Sequence, residues 1–381
     1  MSDASPARGP APTAREVGEL AAAHAAKAEL DRRLGPEVTE TIRAAGFARH
    51  FVPARWGGAE ASFGTFVREV ADVAAGDASA AWCASIAATL GRMAGFLPEE
   101  GQRAVWSGGP DAFVVGALMP GGNARAVDGG WEIDGKWAFL SGIHASDHAL
   151  VCCPVPAADG GKEVRFLLVP RAAYTVEETW FTVGMRGTGS DTLALEPTFV
   201  PREHTFARAD LLAGQPVASD AHANRVPLKS VSGLSFAAPV LGAATGALRS
   251  WTGAVAQKRL AAPAADRISG GQDATSELTL ARAAGEIDAA RLLLERAAAD
   301  ADAGRPSPLN AARAQRDHVL AVELLLDAVG RLARTAGTRA QNESGDFQRF
   351  WRDANAASGH AVLQWEPAAR GYAGAVLDGT P

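Results

Sequence analysis

Cysteine is scarce: the 381 residues hold three, Cys83, Cys152 and Cys153, and no CxxC pair. That excludes a disulfide scaffold and a cysteine-built zinc site. Neighbours on a strand point to opposite faces, so Cys152 and Cys153 read as packing residues in a reducing compartment. A basic stripe is also missing. Lys and Arg are scattered under a net charge of -6, which argues against a nucleic-acid partner. No charged-then-apolar leader opens the chain; MSDASPARGPAPTARE is small, polar and Pro-rich and reads as a disordered lead. Apolar runs such as Phe236 to Leu248 are cut by Pro239 and several Gly and fall short of a membrane span. The protein therefore reads as cytoplasmic, without a membrane partner. Neither a Walker loop nor a strand-linked GxGxxG is present, which argues against nucleotide hydrolysis and a Rossmann domain. GMRGTGS at 184–190 lies between strands and, by spacing alone, reads as a Gly-rich connection.

What is present is a soluble globular composition, 47% hydrophobic and 21% charged, on a chain long enough for two or three domains. Helical patterns come first. Thr13 caps a segment that runs to Leu34, Gly35-Pro36 separates a second, and Phe63–Ala75 and Ala78–Phe96 show helical spacing. The last of these is apolar or small almost throughout and is expected to be buried all round. From Ala112 the character changes to short β-rich runs separated by turn signals such as DGG at 128–130. These suggest a compact antiparallel sandwich or barrel. Long helical patterns resume at Pro227–Arg259, Thr275–Ala303 and Leu309–Thr335, with a last helix from Phe347 to about His360 and a tail rich in Gly and Ala. The reading is α+β: an N-terminal helical domain (1–111, with the lead), a central β domain (112–205) and a C-terminal four-helix bundle (206–381).

One stretch carries more than architecture. In WEIDGKWAFLSGIHASDHALV, Trp131 to Val151, the residues Trp131, Ile133, Trp137 and Phe139 share one parity, the signature of a half-buried strand. The alternation stops at Ser141-Gly142, a hydroxyl beside a backbone free of Cβ. Aromatic walls, a short donor and close main-chain approach can hold a flat ligand. By spacing alone, Trp137 equally reads as core and Ser141 as a turn cap. His144 and His148 flank Asp147, but a third neutral ligand is not apparent and no metal is expected.

The order of helical domain, small β domain and bundle, with Trp and Ser at the end of a central strand, resembles the acyl-CoA dehydrogenase fold. Within it, FVPARWGG at 51–58, SAAWCASIAATLGRMA at 79–94, KWAFLSG at 136–142, VGMRGTGSDT at 183–192 and FQRFWRDANAASGH at 347–360 resemble two-component flavin-dependent monooxygenases. The resemblance is nearest to aromatic polyketide hydroxylases of the actinorhodin-pathway type. It implies a separate NAD(P)H-dependent flavin reductase, reduced FMN or reduced FAD as cofactor, O2 as co-substrate, and a C4a-hydroperoxide that hydroxylates a small phenolic substrate. It also implies a homotetramer.

The resemblance assigns roles that the bare pattern leaves open. Ser141 becomes a catalytic contact to the flavin edge, Gly142 lets that backbone approach, and Trp137 and Phe139 flank the flavin. Thr188, with Arg186 and Ser190, is expected to contact flavin or substrate. His360 is the second catalytic candidate, as a base for a phenol or a donor to the oxidant, although alone it reads as a surface histidine at a helix end. Trp82 and Met185 are expected to wall the substrate pocket, against simple core packing for Trp82. Arg259 falls where related folds place an arginine on the flavin phosphate, though the Phe-Gly expected after it is absent. No late Tyr-Glu-Gly is found, which disfavours acyl-CoA dehydrogenation. An N-oxygenase acting on an amine or amino sugar is the alternative within the fold.

Overall fold

The computed structural model describes residues 11–157, 160–261, 271–305 and 307–379. The lead expected to be disordered falls on residues 1–10, outside the described residues.

Among the described residues, five α-helices form the N-terminal region. Thr13 and Glu16 close a capping box on α1 (Ala14–Asp31), and Arg32 ends it in a left-handed conformation. Pro36 opens α2 (Pro36–Ala44), where its missing N–H costs nothing. Ser62 caps α3 (Phe63–Ala74) and Asp77 caps α4 (Ala78–Ala94). Along α4, buried residues occur on every face, so this helix is the hub between the N-terminal region, the β domain and the bundle. The last of the five, α5, is Glu99–Trp106.

Among the described residues eight strands follow: β1 (Val114–Ala117), β2 (Asn123–Val127), β3 (Gly130–Leu140), β4 (His148–Pro156), β5 (Lys162–Pro170), β6 (Thr175–Glu177), β7 (Asp191–Pro201) and β8 (Thr205–Ala207). They form two four-stranded sheets, ordered β1-β4-β5-β8 and β2-β3-β7-β6. The pairing departs from the all-antiparallel expectation at one place. β1 and β4 run parallel, because the β2–β3 hairpin that separates them in sequence belongs to the other sheet. Cys152 and Cys153 point into different apolar clusters, as adjacent strand residues must.

The C-terminal region opens with α6 (Arg208–Ala213) and α7 (Leu228–Val231), followed by α8 (Leu234–Ala261), α9 (Gly271–Asp302), α10 (Pro308–Ala336) and α11 (Asp346–Ser358). The four long helices α8 to α11 pack as the bundle. Two sequence expectations need correction here. The Gly- and Ala-rich tail is a helix, α12 (Trp365–Leu377), laid against α10. The apolar stretch around Pro239 is continuous rather than interrupted. Leu228–Ala261 is long and apolar enough to cross a membrane, but 83% of its most apolar window is buried inside the protein. Pro239 is accommodated because the carbonyl it leaves free, that of Ser235, accepts the Ser85 hydroxyl at 2.6 Å.

Candidate active site

The site begins with a β-bulge. Trp137 pairs with Leu193 and Leu140 with Asp191, so Ala138 and Phe139 together face Thr192. The extra residue reverses the parity, and Phe139 adopts φ +67°. Trp137 and Phe139 therefore do not share a face. Trp137 is 2% exposed, packed between the sheets, and its indole N–H donates to the Cys152 carbonyl at 2.9 Å. It belongs to the β-domain core and cannot flank a ligand there, contrary to the sequence expectation. Phe139 is 73% exposed and meets Trp180 edge-on at 6.2 Å, with Phe181 and Val183 also exposed nearby in sequence. The bulge thus presents an open aromatic platform next to the turn that follows β3.

Beyond the bulge, Ser141 turns inward and is buried. Its hydroxyl accepts the Trp82 indole N–H at 3.0 Å and lies 2.7 Å from Ser190 Oγ. Ser190 is 2.6 Å from Thr188 Oγ1, which donates to the Met185 carbonyl at 2.9 Å. Indole can only donate and a carbonyl can only accept, so the whole chain has one direction, from Trp82 through Ser141, Ser190 and Thr188 to Met185. The Ser141 proton is committed to Ser190. What Ser141 offers a further partner is its remaining lone pair.

Gly142, at φ +73°, donates its N–H to the Thr188 carbonyl at 2.8 Å and reverses the chain. A Cβ there would stand 3.2 Å from the Phe113 ring. Gly142 faces a separate cleft of about 440 Å³, shared with Arg33, Cys83, Phe113, His144 and Thr188. The side chain of Met185 is buried in the core. It is the Met185 backbone, left-handed at φ +54°, that serves the site.

His360 follows α11 and reaches the same group of residues. Its ring stacks on Phe236 at 3.7 Å and 21°, and meets Trp82 at 6.0 Å. Trp82 in turn lies 5.1 Å from Phe236. His360 Nδ1 accepts the Val362 N–H at 3.3 Å, which leaves the proton of the neutral ring on Nε2. Burial lowers the His360 pKa to about 4. Near neutral pH it is therefore a neutral N–H donor rather than a proton acceptor.

One buried carboxyl joins the two halves of this arrangement. Asp353, in the middle of α11, accepts the Met185 N–H at 2.6 Å. Burial first, then the nearby Asp77, raises its pKa to about 7. The 184–190 loop lies close on α11: Arg352 donates to the Val183 carbonyl at 2.5 Å, and a Cβ on Gly184 would stand 2.4 Å from the Arg352 carbonyl. The helix that ends at His360 and the loop that carries Thr188 and Ser190 are thereby held as one unit.

Ser141, Thr188, Trp82 and His360 are thus brought together by the fold, while other candidates are not. Arg259 lies 23 residues along α8 from Phe236, roughly 35 Å at the helical rise, and pairs with Glu277 at 3.2 Å. Within one protomer it does not reach the site. The Arg186 Nε is buried without a partner among the described residues. His144 pairs with Asp191 at 2.7 Å and Asp147 with Arg43 at 2.8 Å, so each is engaged in a separate ion pair. No three metal-ligating side chains gather among the described residues. Sequence reasoning missed Phe236 and Asp353. The only signal for Asp353 was its place in the motif beside Arg352.

A family model described as the C-terminal domain of acyl-CoA dehydrogenase matches residues 234–365. The oxygenase component of a FADH(2)-dependent resorcinol hydroxylase from Rhizobium sp. (strain MTP-10005) is 31% identical over 399 residues, covering 96% of this chain and 95% of its own. Among solved structures, 3-HSA hydroxylase from Rhodococcus sp. RHA1 superposes with a TM-score of 0.90 at 26% identity, over 97% of this chain and 96% of that one. XiaF from Streptomyces sp., in complex with FADH2 and glycerol, gives 0.86 at 27%, over 96% and 95%. With the fold, the bulged strand end and the desolvated histidine in place, these likenesses make the chain a member of the oxygenase components of two-component flavin-dependent monooxygenases with the acyl-CoA dehydrogenase fold.

Proposed function

We propose that this oxygenase hydroxylates a small phenol, with reduced FAD delivered by a separate NAD(P)H-dependent flavin reductase and O2 as co-substrate. When bound, the reduced flavin supplies an oxygen atom from O2 in electrophilic form. The residues fit such a group: Phe139 offers an exposed apolar ring with Trp180 edge-on beside it, and two residues on, Ser141 holds a free lone pair suited to an N–H on the edge of a reduced ring. FADH2 is favoured over reduced FMN by the resorcinol hydroxylase relative and by the XiaF complex.

The observation that carries the reading is the one-way hydroxyl chain that passes through Ser141 and starts at Trp82, the ring beside the His360–Phe236 pair. It places a fixed acceptor and a neutral imidazole donor at the edge of a dry, aromatic space. A phenol ring packs there by displacing or joining the stack. His360 Nε2–H then donates to the phenolic oxygen and fixes which ring carbon faces the flavin. Taking the proton is not its role. A phenol titrates near 10, about six units above this imidazole, so general-base help from His360 is weak.

The cavity beside Phe236 is lined by Arg92 and by no carboxylate, which disfavours a cationic amine and the N-oxygenase alternative. It also holds no glutamate to serve dehydrogenation. The narrower reading, a phenolic polyketide, rests on the resemblance of 136–142 and 347–360. Association into a homotetramer is supported by Leu260, Leu278 and Leu292, which stand exposed on α8 and α9. We place the protein in the cytoplasm with its reductase.

The test is a single turnover. Protein and reduced FAD are mixed anaerobically, then exposed to O2 and a panel of simple phenols, and product and hydrogen peroxide are counted per flavin oxidised. The reading predicts hydroxylated product and suppressed peroxide. Flavin oxidation at its free-solution rate, with no product from any phenol, contradicts it.

A further inference from the structure

Arg92 is a buried charge without a counter-charge. It lies on α4 at 2% exposure, where Nε donates to the Ala223 carbonyl at 2.7 Å and Nη2 to the Val226 carbonyl. The rings of Phe63 and Phe96 lie 5.8 Å from its guanidinium carbon. Burial alone lowers its pKa, to about 9, with no carboxylate raising it again. Arg349 shows the contrast: at 6% exposure it has Asp346 at 2.9 Å and Asp77 at 3.9 Å. Two carbonyl dipoles use two of five guanidinium hydrogens and leave most of the charge unanswered.

The same arginine lines a small cavity of about 40 Å³, whose wall includes Phe63, Phe66, Leu118, Ser235 and Phe236. That is room for about three water-sized groups, the heavy-atom count of a carboxylate. Ser235 is 6% exposed and lines this cavity beside Arg92. Phe236 is also the ring on which His360 stacks. The cavity therefore opens behind the aromatic surface where the phenol is placed.

We infer that this cavity receives a carboxylate carried on the aromatic substrate, held by Arg92 and the Ser235 hydroxyl. The substrate is then an acidic phenol: its charged end lies among Phe63, Phe66 and Arg92, and its hydroxylated ring lies against Phe236. This rests on the phenol hydroxylase reading above. Carboxylate suits the site because it is small and planar and forms charge-assisted bonds with a guanidinium. A phosphate or sulfate ester brings more oxygens than the space admits.

The experiment compares 4-hydroxyphenylacetate with 4-hydroxyphenylacetamide, which have the same shape and differ in charge. With reduced FAD and O2, the wild type is expected to show a KM for the acid on the order of 30-fold below that for the amide. The same ratio is expected in dissociation constants measured by calorimetry on flavin-free protein. Arg92→Met should bring both ratios to about one, while Arg92→Lys keeps part of the preference. Equal use of acid and amide by the wild type overturns the inference and leaves the hydroxylase reading standing. A folded Arg92→Met that keeps the preference overturns it as well. If Arg92→Met does not fold, the wild-type ratio and Arg92→Lys decide. Oxidation of flavin without product from either phenol overturns both readings.

Discussion

At the scale of single residues, the site depends on what burial does to ionisation. His360 keeps Nδ1 on the Val362 N–H and a pKa near 4, so it changes charge only well below neutrality. Product per flavin oxidised is therefore expected to stay level from about pH 8 down to about pH 5.5 and to fall as pH nears the His360 pKa of about 4. His360→Ala should lower that coupling on the order of tenfold while flavin oxidation continues, the loss expected for one good hydrogen bond to the reacting group. A variant coupled as well as the wild type removes His360 from the mechanism. His318 shows the cost of the same effect without a function. It is 1% exposed, neither ring nitrogen has a partner among the described residues, and burial lowers its pKa from 6.5 to about 4. The unfolded chain takes up this proton first, so the stability is complete above 6.5 and is lost as pH falls toward 4. His318→Leu should raise stability by about 1–3 kcal/mol and make that acid slope shallower, as read by thermal unfolding at several pH values.

At the scale of elements, the bulge in β3 and the fastening of the 184–190 loop to α11 decide what the site can be. Asp353 has its pKa raised from 3.8 to about 7, chiefly by burial. Its contribution to stability is complete below 3.8 and is lost as pH rises through 7. Asp353→Asn keeps the acceptor for the Met185 N–H and removes the ionisation. Its melting temperature should hold between pH 6 and 8, where that of the wild type falls. Asp353→Ala loses the bond itself, and is expected to lose about 1–2 kcal/mol and to weaken binding of reduced flavin at every pH. A wild type whose melting temperature is unchanged across that range contradicts this assignment.

These same elements show where reading the sequence stops. The alternation of Trp131, Ile133 and Trp137 is visible, and the strand is there. The parity of Phe139 is not visible, because the extra residue is set by pairing with β7, 56 residues away in the case of Trp137 and Leu193. Asp353 looks like any polar residue on an amphipathic helix, since nothing in its spacing says which neighbour buries it. Arg92 was legible in one respect. It is the only charge in SAAWCASIAATLGRMA, and a lone charge inside an all-buried helix asks for a partner.

At the scale of the whole molecule, the order of helices, strands and helices was readable because periodicity and turn residues are local properties. The tail was not: Gly371 and Gly374 argue against a helix by propensity, and α12 forms because it packs on α10. The helix through Pro239 was readable from its pattern, but how the proline is tolerated was not, since its cost is offset by Ser85, 150 residues away from the freed carbonyl of Ser235. What no local pattern contains is the convergence of α4, the end of β3, the 184–190 loop, α8 and α11 on one dry space. That convergence links Ser190, Ser141, Trp82, Phe236 and His360 in one continuous run of contacts. Its use, in the function proposed above, is to keep water away while one oxygen atom passes to the aromatic substrate. The most direct measurement is a single turnover with reduced FAD, an acidic phenol and ¹⁸O2 in unlabelled water, with the product analysed by mass. The account predicts a hydroxylated product that carries one atom of ¹⁸O; a product oxygen drawn from water, or no product while the flavin oxidises, would contradict it.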